Sequence, residues 1–302
     1  MTGNTGNTGN TGNTGNTGNV GSVGGSSGWF LPDRVDLPFV TERSPNGVEI
    51  SQLRRTKLTH TAGTSLPTFT RRRWAANWNA WLVLHEFVDK PWKPAAQAAL
   101  DNVLAQAKPI NDELDDLVSA AQNERADAMG EILAQDGEFF SAFMGLLAML
   151  PGSHPQTHRV MHIASQIASF AALFFKGKYN RARASQLCPA LLPPIPVPGH
   201  ASYPSGHSTQ AHLMALCLGY VFGKVPVAQP DLDALTDDLA VLADRIARNR
   251  ELAGLHYESD SKGGAELAKV VFTVLTDAAN PIPLFDEAVA GAVEEWKGEA
   301  QP

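Results

Sequence analysis

The sequence predicts an all-α protein, a helical bundle of one domain behind a disordered N-terminal tail. Two observations predict the bundle. From residue 74 on, apolar residues recur at intervals of three and four, the helical period. Period-two alternation is missing apart from scraps such as Val48–Ile50, so no sheet is expected. The tail has its own signal. Residues 2–19 are six copies of Thr-Gly-Asn, and Gly and Ser continue to Gly28. Such a segment has no apolar area to set against the entropy of ordering, so 1–28 is expected to be disordered. That leaves 29–302 as the helical domain.

Composition narrows the function. The 302 residues are 43% hydrophobic, enough to bury a sizeable core. Net charge is −7 and the isoelectric point about 5.7, which argues against nucleic-acid binding. Any anion site must then be a local basic pocket. Cys188 and Cys217 are too few for a disulfide framework and read as buried thiols. No signal-peptide pattern is visible, and the longest apolar runs, Phe143–Leu150 and Leu213–Phe222, are too short to span a bilayer. The expectation is a soluble, cytoplasmic protein with no transmembrane segment.

The elements follow in order. Between Trp29 and Pro67, four prolines predict short extended pieces and turns. Arg71–Arg73 reads as a solvated helix start. Trp74, Trp78, Trp81, Leu82, Leu84 and Phe87 follow at helical spacing, and the tryptophans read as core. Pro94 suits a first helical turn. Helical patterns then cover Ala96–Ala107, Asn111–Ala121, Glu124–Gln135 and Glu138–Leu150. Asp112, Glu113, Asp115 and Asp116 fit the solvent face of a helix better than a metal cluster. His154, His158 and His162 are four apart, but Pro155 interrupts the first interval and no carboxylate completes a ligand set. Polar contacts are expected there rather than a metal.

The apolar helix Ile163–Phe175 runs into Lys176-Gly177-Lys178-Tyr179-Asn180-Arg181-Ala182-Arg183, four cations in eight residues. A stiff Pro-rich loop, Leu192–Pro198, leads to His200-Ala201-Ser202-Tyr203-Pro204-Ser205-Gly206-His207-Ser208. This small-residue turn feeds the apolar stretch Leu213–Phe222. Its backbone N–H groups and the helix N-terminus suit an anion. Asp231–Arg250 is amphipathic, with Leu232, Leu235, Leu239, Leu242 and Ile246 on one face. Gly263 and Gly264 precede a helix at Ala265–Ala278, and Asp286–Glu299 reads as the last one.

Three separated segments supply complementary chemistry: Lys176 and Arg183; Ser205, Gly206 and His207; Arg250, His256 and Asp260. A tetrahedral oxyanion needs this mixture. Guanidinium groups clamp two oxygens, and an ammonium adds a compact charge. N–H donors of a glycine turn approach without a Cβ in the way. Two imidazoles can then divide nucleophilic attack and proton transfer. Asp260 stands four residues after His256, placed to hold its tautomer.

These segments resemble the signature of the type 2 phosphatidic acid phosphatase and vanadium-dependent haloperoxidase superfamily. Lys176 and Arg183 keep its first interval, Pro204-Ser205-Gly206-His207 matches throughout, and Arg250, His256 and Asp260 keep the last intervals, all within 176–260. Ala184 replaces the Pro after the first Arg, and Asn249 replaces the Ser before the second. The resemblance implies His256 as nucleophile through a phosphohistidine and His207 as general acid. It also implies Lys176, Arg183, Arg250, Ser205 and Gly206 as the oxygen-binding groups. The substrate would be a small-molecule phosphate ester, with no cofactor. In the haloperoxidase branch the same pocket holds vanadate with His256 as the vanadium ligand, and halide and hydrogen peroxide are the substrates. His200, seven before His207, matches a second His of the bromoperoxidases. Against that branch, Leu173 sits three before Lys176, where those enzymes tend to place Trp or Arg. The expectation is a soluble phosphomonoesterase. The alternatives are a haloperoxidase and a non-catalytic anion-binding protein.

Overall fold

The computed structural model describes residues 74–226 and 230–297. The Thr-Gly-Asn tail, the proline-punctuated stretch and Arg71–Arg73 lie outside the described residues. All regular structure among the described residues is helical, as eleven α-helices and a 3-10 turn at Pro189–Leu191.

Two long helices form the middle. α6 is Pro155–Tyr179 and α8 is Gly206–Phe222. Thirteen of the seventeen residues of α8 are buried, which fits a stretch apolar on most sides. Each Leu, Met or Val enclosed this way contributes about 1.5–3 kcal/mol. α9 (Pro230–Leu252), α10 (Glu258–Leu275) and α6 all pack on α8. α1 (Ala76–Val88) and α11 (Pro283–Lys297) flank α6, and α2 (Lys93–Ala105) lies on α10. α3 (Ile110–Asn123), α4 (Arg125–Gly137) and α5 (Phe140–Leu146) all contact α9.

Several local expectations change. Pro155 does separate His154 from the helical face of His158 and His162, since His154 is the non-helical N-cap of α6. The proline itself occupies the first turn of α6, where its missing N–H costs nothing, so the helix starts eight residues before Ile163. The stretch Pro155–Leu187, with an 18-residue window of mean hydropathy 1.2, is long and apolar enough to cross a membrane by length and composition, contrary to the expectation of no such segment. Its most apolar window is 72% buried inside the protein.

Trp78 and Trp81 are 58% and 53% exposed, not core. α1 instead buries Asn79, Ala80, Val83, Leu84 and Phe87, a second stripe with the same spacing. The buried indoles among the described residues are Trp296 and Trp92, the latter ringed by Phe87, Phe170, Phe174 and Phe175 at centroid distances of 5.4–5.9 Å. Cys217 is buried and Cys188 only half-buried.

Glycines bring the site segments together. Gly263 and Gly264 lie inside α10, where it crosses the turn before α8. A Cβ on Gly264 would sit 2.7 Å from the Ser205 carbonyl oxygen, and one on Gly263 2.5 Å from the Tyr203 ring. Only bare backbone allows that approach. Gly254, at φ +73°, makes the left-handed turn from α9 to α10 and so sets Arg250 and His256 relative to each other.

Candidate active site

The turn from Tyr203 enters α8 through a cis Tyr203–Pro204 peptide. Ser205 is the N-cap of α8, and its Oγ accepts from the Ser208 N–H at 3.4 Å. Gly206 and His207 thus form the first turn of α8. The Ser205 N–H donates to the Asp260 carbonyl at 2.9 Å, which ties this turn to α10.

His256 stands just before α10, beside Asp260 in its first turn. Its Nδ1 is 3.0 Å from Asp260 Oδ2. That oxygen also accepts a close hydrogen bond from Ser202 Oγ and one from the Tyr257 N–H at 3.1 Å. Burial works to raise the Asp260 pKa. The His256 hydrogen bond, Arg181 and Ser202 outweigh it and hold the carboxyl down at about 2. Burial drives the His256 pKa well below its ordinary value, and Arg183 and Lys176 add to that. The imidazole is therefore neutral. With Nδ1–H given to Asp260, Nε2 keeps its lone pair.

The cations lie around this pair. Lys176, in the last turn of α6, donates to the carbonyls of Ser202 at 2.7 Å and Ala201 at 3.0 Å. Burial, with Arg183 nearby, pushes its pKa well down. Arg183 bridges two segments, donating to His200 O at 2.9 Å and Leu255 O at 3.0 Å. His200 Nδ1 is 3.0 Å from Arg183 Nη2. The same Nδ1 lies 3.1 Å from the Ala201 carbonyl, to which only an Nδ1–H could donate, so the two contacts call for opposite tautomers. His200 helps to fix Arg183 through its own carbonyl.

The far wall is α4. Arg250 Nη2 donates to Ile132 O at 2.9 Å, and His207 Nε2 lies 3.1 Å from Gln135 O, one turn further along. A carbonyl only accepts, so His207 Nε2 carries the hydrogen. The His207 ring also leans on Phe139, with centroids 5.3 Å apart. Burial lowers the pKa of both Arg183 and Arg250 to about 10.

Lys176, Arg183, Ser205, Gly206, His207, Arg250, His256 and Asp260 are all buried, while His200 is half-buried. Hydrogen bonds join Lys176, Arg183, His200, His256 and Asp260 into one network through 200–202 and Leu255. Arg250 and His207 bond instead to carbonyls of α4, and the Arg250 carbonyl accepts from the Leu255 N–H at 3.1 Å. Arg250 Nε and Nη1 are buried with no hydrogen-bond partner among the described residues. Leaving such donors unmet is costly, at about 1–3 kcal/mol each or more for a charged group. A tetrahedral anion would meet them.

The sequence reading missed several residues. Glu113 does not lie on a solvent face: it is 2% exposed and accepts from Arg181 at 2.7 Å and from the Ser259 N–H at 2.9 Å. Its register was the available signal: Glu113, Leu117 and Ala120 are the buried stripe of α3. Arg181, within the run of four cations, donates to Asp260 Oδ1 at 2.9 Å. Arg125 pins the α9–α10 turn by donating to Leu252 O at 2.6 Å and Leu191 O at 2.8 Å. No group of three or more His, Cys, Asp or Glu placed to hold a metal occurs among the described residues.

No family model matches the chain, and no curated protein does. Among solved structures, a transmembrane PAP2-type phosphatidylglycerolphosphate phosphatase from Bacillus subtilis matches at 15% identity and a TM-score of 0.32. The match covers 71% of this chain and 97% of that one. The functional reading is carried by the residues of the site itself.

Proposed function

We propose that the chain is a phosphatase acting on small phosphate monoesters through a phosphohistidine at His256. The observation that carries this reading is the buried His256–Asp260 pair, 3.0 Å apart, with Lys176 and Arg183 close enough to depress the His256 pKa. Asp260 keeps the hydrogen on Nδ1, so the Nε2 lone pair attacks phosphorus. The bond to the leaving oxygen breaks as the N–P bond forms, and a doubly protonated His207 gives that oxygen its Nδ1 proton, keeping Nε2–H on the Gln135 carbonyl. A water then attacks, His207 takes its proton, and inorganic phosphate leaves. Lys176, Arg183, Arg250 and the Gly206 N–H at the start of α8 hold the oxygens as charge shifts onto them, since the Ser205 N–H is taken by the Asp260 carbonyl. The reading needs no metal and places the helical body in the cytoplasm as a soluble enzyme. Burial of the apolar face of α6 within the bundle supports that setting.

The haloperoxidase reading is supported by the contact of His200 with Arg183. Vanadate matches phosphate in shape and charge, so the unmet donors of Arg250 fit it as well. Lys176, Arg183 and Arg250 would hold its oxygens and His256 its vanadium. When bound, it would supply activation of hydrogen peroxide toward halide. Orientation of Arg183 by His200 and proton movement at His207 would be the chain's own part.

One assay separates the readings. Hydrolysis of a generic phosphate ester in EDTA, inhibited by vanadate, is expected. Vanadate-dependent bromination with hydrogen peroxide, and no hydrolysis, would replace the phosphatase with the haloperoxidase. Tight phosphate binding with neither activity would leave an anion-binding protein.

A further inference from the structure

Behind Asp260 lies a second buried layer built from three elements. Arg181, in the link after α6, lays its guanidinium over the Tyr257 ring at 4.1 Å. Its Nη1 donates to Asp260 Oδ1 at 2.9 Å and to Ser259 Oγ at 2.7 Å. Its Nη2 donates to Glu113 Oε2 of α3 at 2.7 Å. The Glu113 carboxylate also accepts from the Ser259 N–H at 2.9 Å and Ser259 Oγ at 3.0 Å. It therefore caps the N-terminus of α10 as well as gripping Arg181.

The two carboxylate oxygens of Asp260 do different work. Oδ2 faces His256, Ser202 and the Tyr257 N–H, whereas Oδ1 has Arg181 as its recorded donor. Without that guanidinium, Oδ1 would be a buried, charged oxygen lacking its donor. The carboxylate would turn toward other donors, and the His256 Nδ1–H bond would loosen. We propose that Arg181, gripped by Glu113 and Ser259, is a positioning residue that fixes the Asp260 carboxylate and through it the tautomer and aim of His256. The proposal deepens the phosphohistidine reading and rests on it for its kinetic consequence. It does not rest on it for the ring geometry.

The test uses the full chain with nitrogen-15-labelled histidine. In the wild type, His256 should show a downfield Nδ1 proton slow to exchange. In Arg181→Met that signal should vanish. Ester-hydrolysis kcat should fall about tenfold or more while the affinity for inorganic phosphate changes less than about threefold, since Arg181 does not touch the ion. Arg181→Lys should recover much of kcat and the ring signal. Glu113→Gln, close in shape, should lower kcat about threefold with a weaker ring signal, and it decides the matter if Arg181→Met does not fold. A folded Arg181→Met, or failing that Glu113→Gln, with an unchanged His256 proton and unchanged kcat would overturn the positioning role. If the wild type hydrolyses no ester yet the His256 proton responds to these variants, the positioning role stands and the phosphatase reading falls.

Discussion

Two pairs of buried side chains in this protein share one helical interval and have opposite equipment. His256 and Asp260 are four residues apart at the start of α10; His158 and His162 are four apart on α6. In both pairs burial drives the imidazole toward its neutral form. The surroundings differ. His158 and His162 meet edge to face at 4.5 Å, and His162 leans on Phe140 at 4.8 Å. His158 Nε2 and His162 Nδ1 have no hydrogen-bond partner among the described residues. His256 has a carboxylate fixing one ring nitrogen and buried cations close enough to depress its pKa. Burial alone makes a neutral imidazole. A fixed tautomer and nearby cations are what the proposed nucleophilic role of His256 requires.

The largest effect should come from exchanging the fates of the two pairs. His256→Ala is expected to lower kcat by about 10³-fold or more with the fold intact by circular dichroism, because no other group supplies the lone pair. His162→Leu should leave kcat within about twofold, since it replaces a ring packed among rings. The reverse pattern would break the comparison. Arg250→Ala should come next, costing about 10²–10³-fold in kcat/KM for the ester by steady-state kinetics. A loss confined to KM would mean that Arg250 binds substrate and transition state equally.

The aromatic pair should show itself in stability. Folded His162, kept neutral by burial and by His158, titrates only at about 3, whereas the unfolded imidazole titrates near its ordinary 6.5. The unfolded state takes up the proton first. This contribution to stability is therefore complete above 6.5 and is lost as pH falls toward 3. Thermal melts should drop over that window, and His162→Leu should flatten the drop. An equal slope in the variant would remove His162 from the account.

The smallest effect belongs to the site. An anion beside Lys176 and His256 should raise the pKa of both, so binding takes up protons and weakens as pH rises. Titration calorimetry with sulfate in two buffers of different ionisation heat should reveal that uptake. Identical heats after buffer correction would contradict it.

Much of this contrast was readable in advance and some was not. The three motifs announce the site because their chemistry lies in residue identity at fixed intervals, and the helical period announces the fold. The α1 tryptophans misled because two stripes of that helix carry the same spacing, and only packing chooses between Trp78 and Val83. The start of α6 at Pro155, ahead of Ile163, was less legible because a proline both ends and begins helices. Glu113 was obscured by its acidic neighbours, although its register with Leu117 put it in the apolar stripe. Arg181 lies between the two motif cations, and only the folded chain shows which partner it takes.

Crystals grown with orthovanadate test the central claim most directly. The account predicts vanadium bonded to His256 Nε2, with its oxygens on Lys176, Arg183 and the two unmet donors of Arg250. Vanadate bound elsewhere, with His256 Nε2 untouched in protein that still hydrolyses the ester, would contradict it.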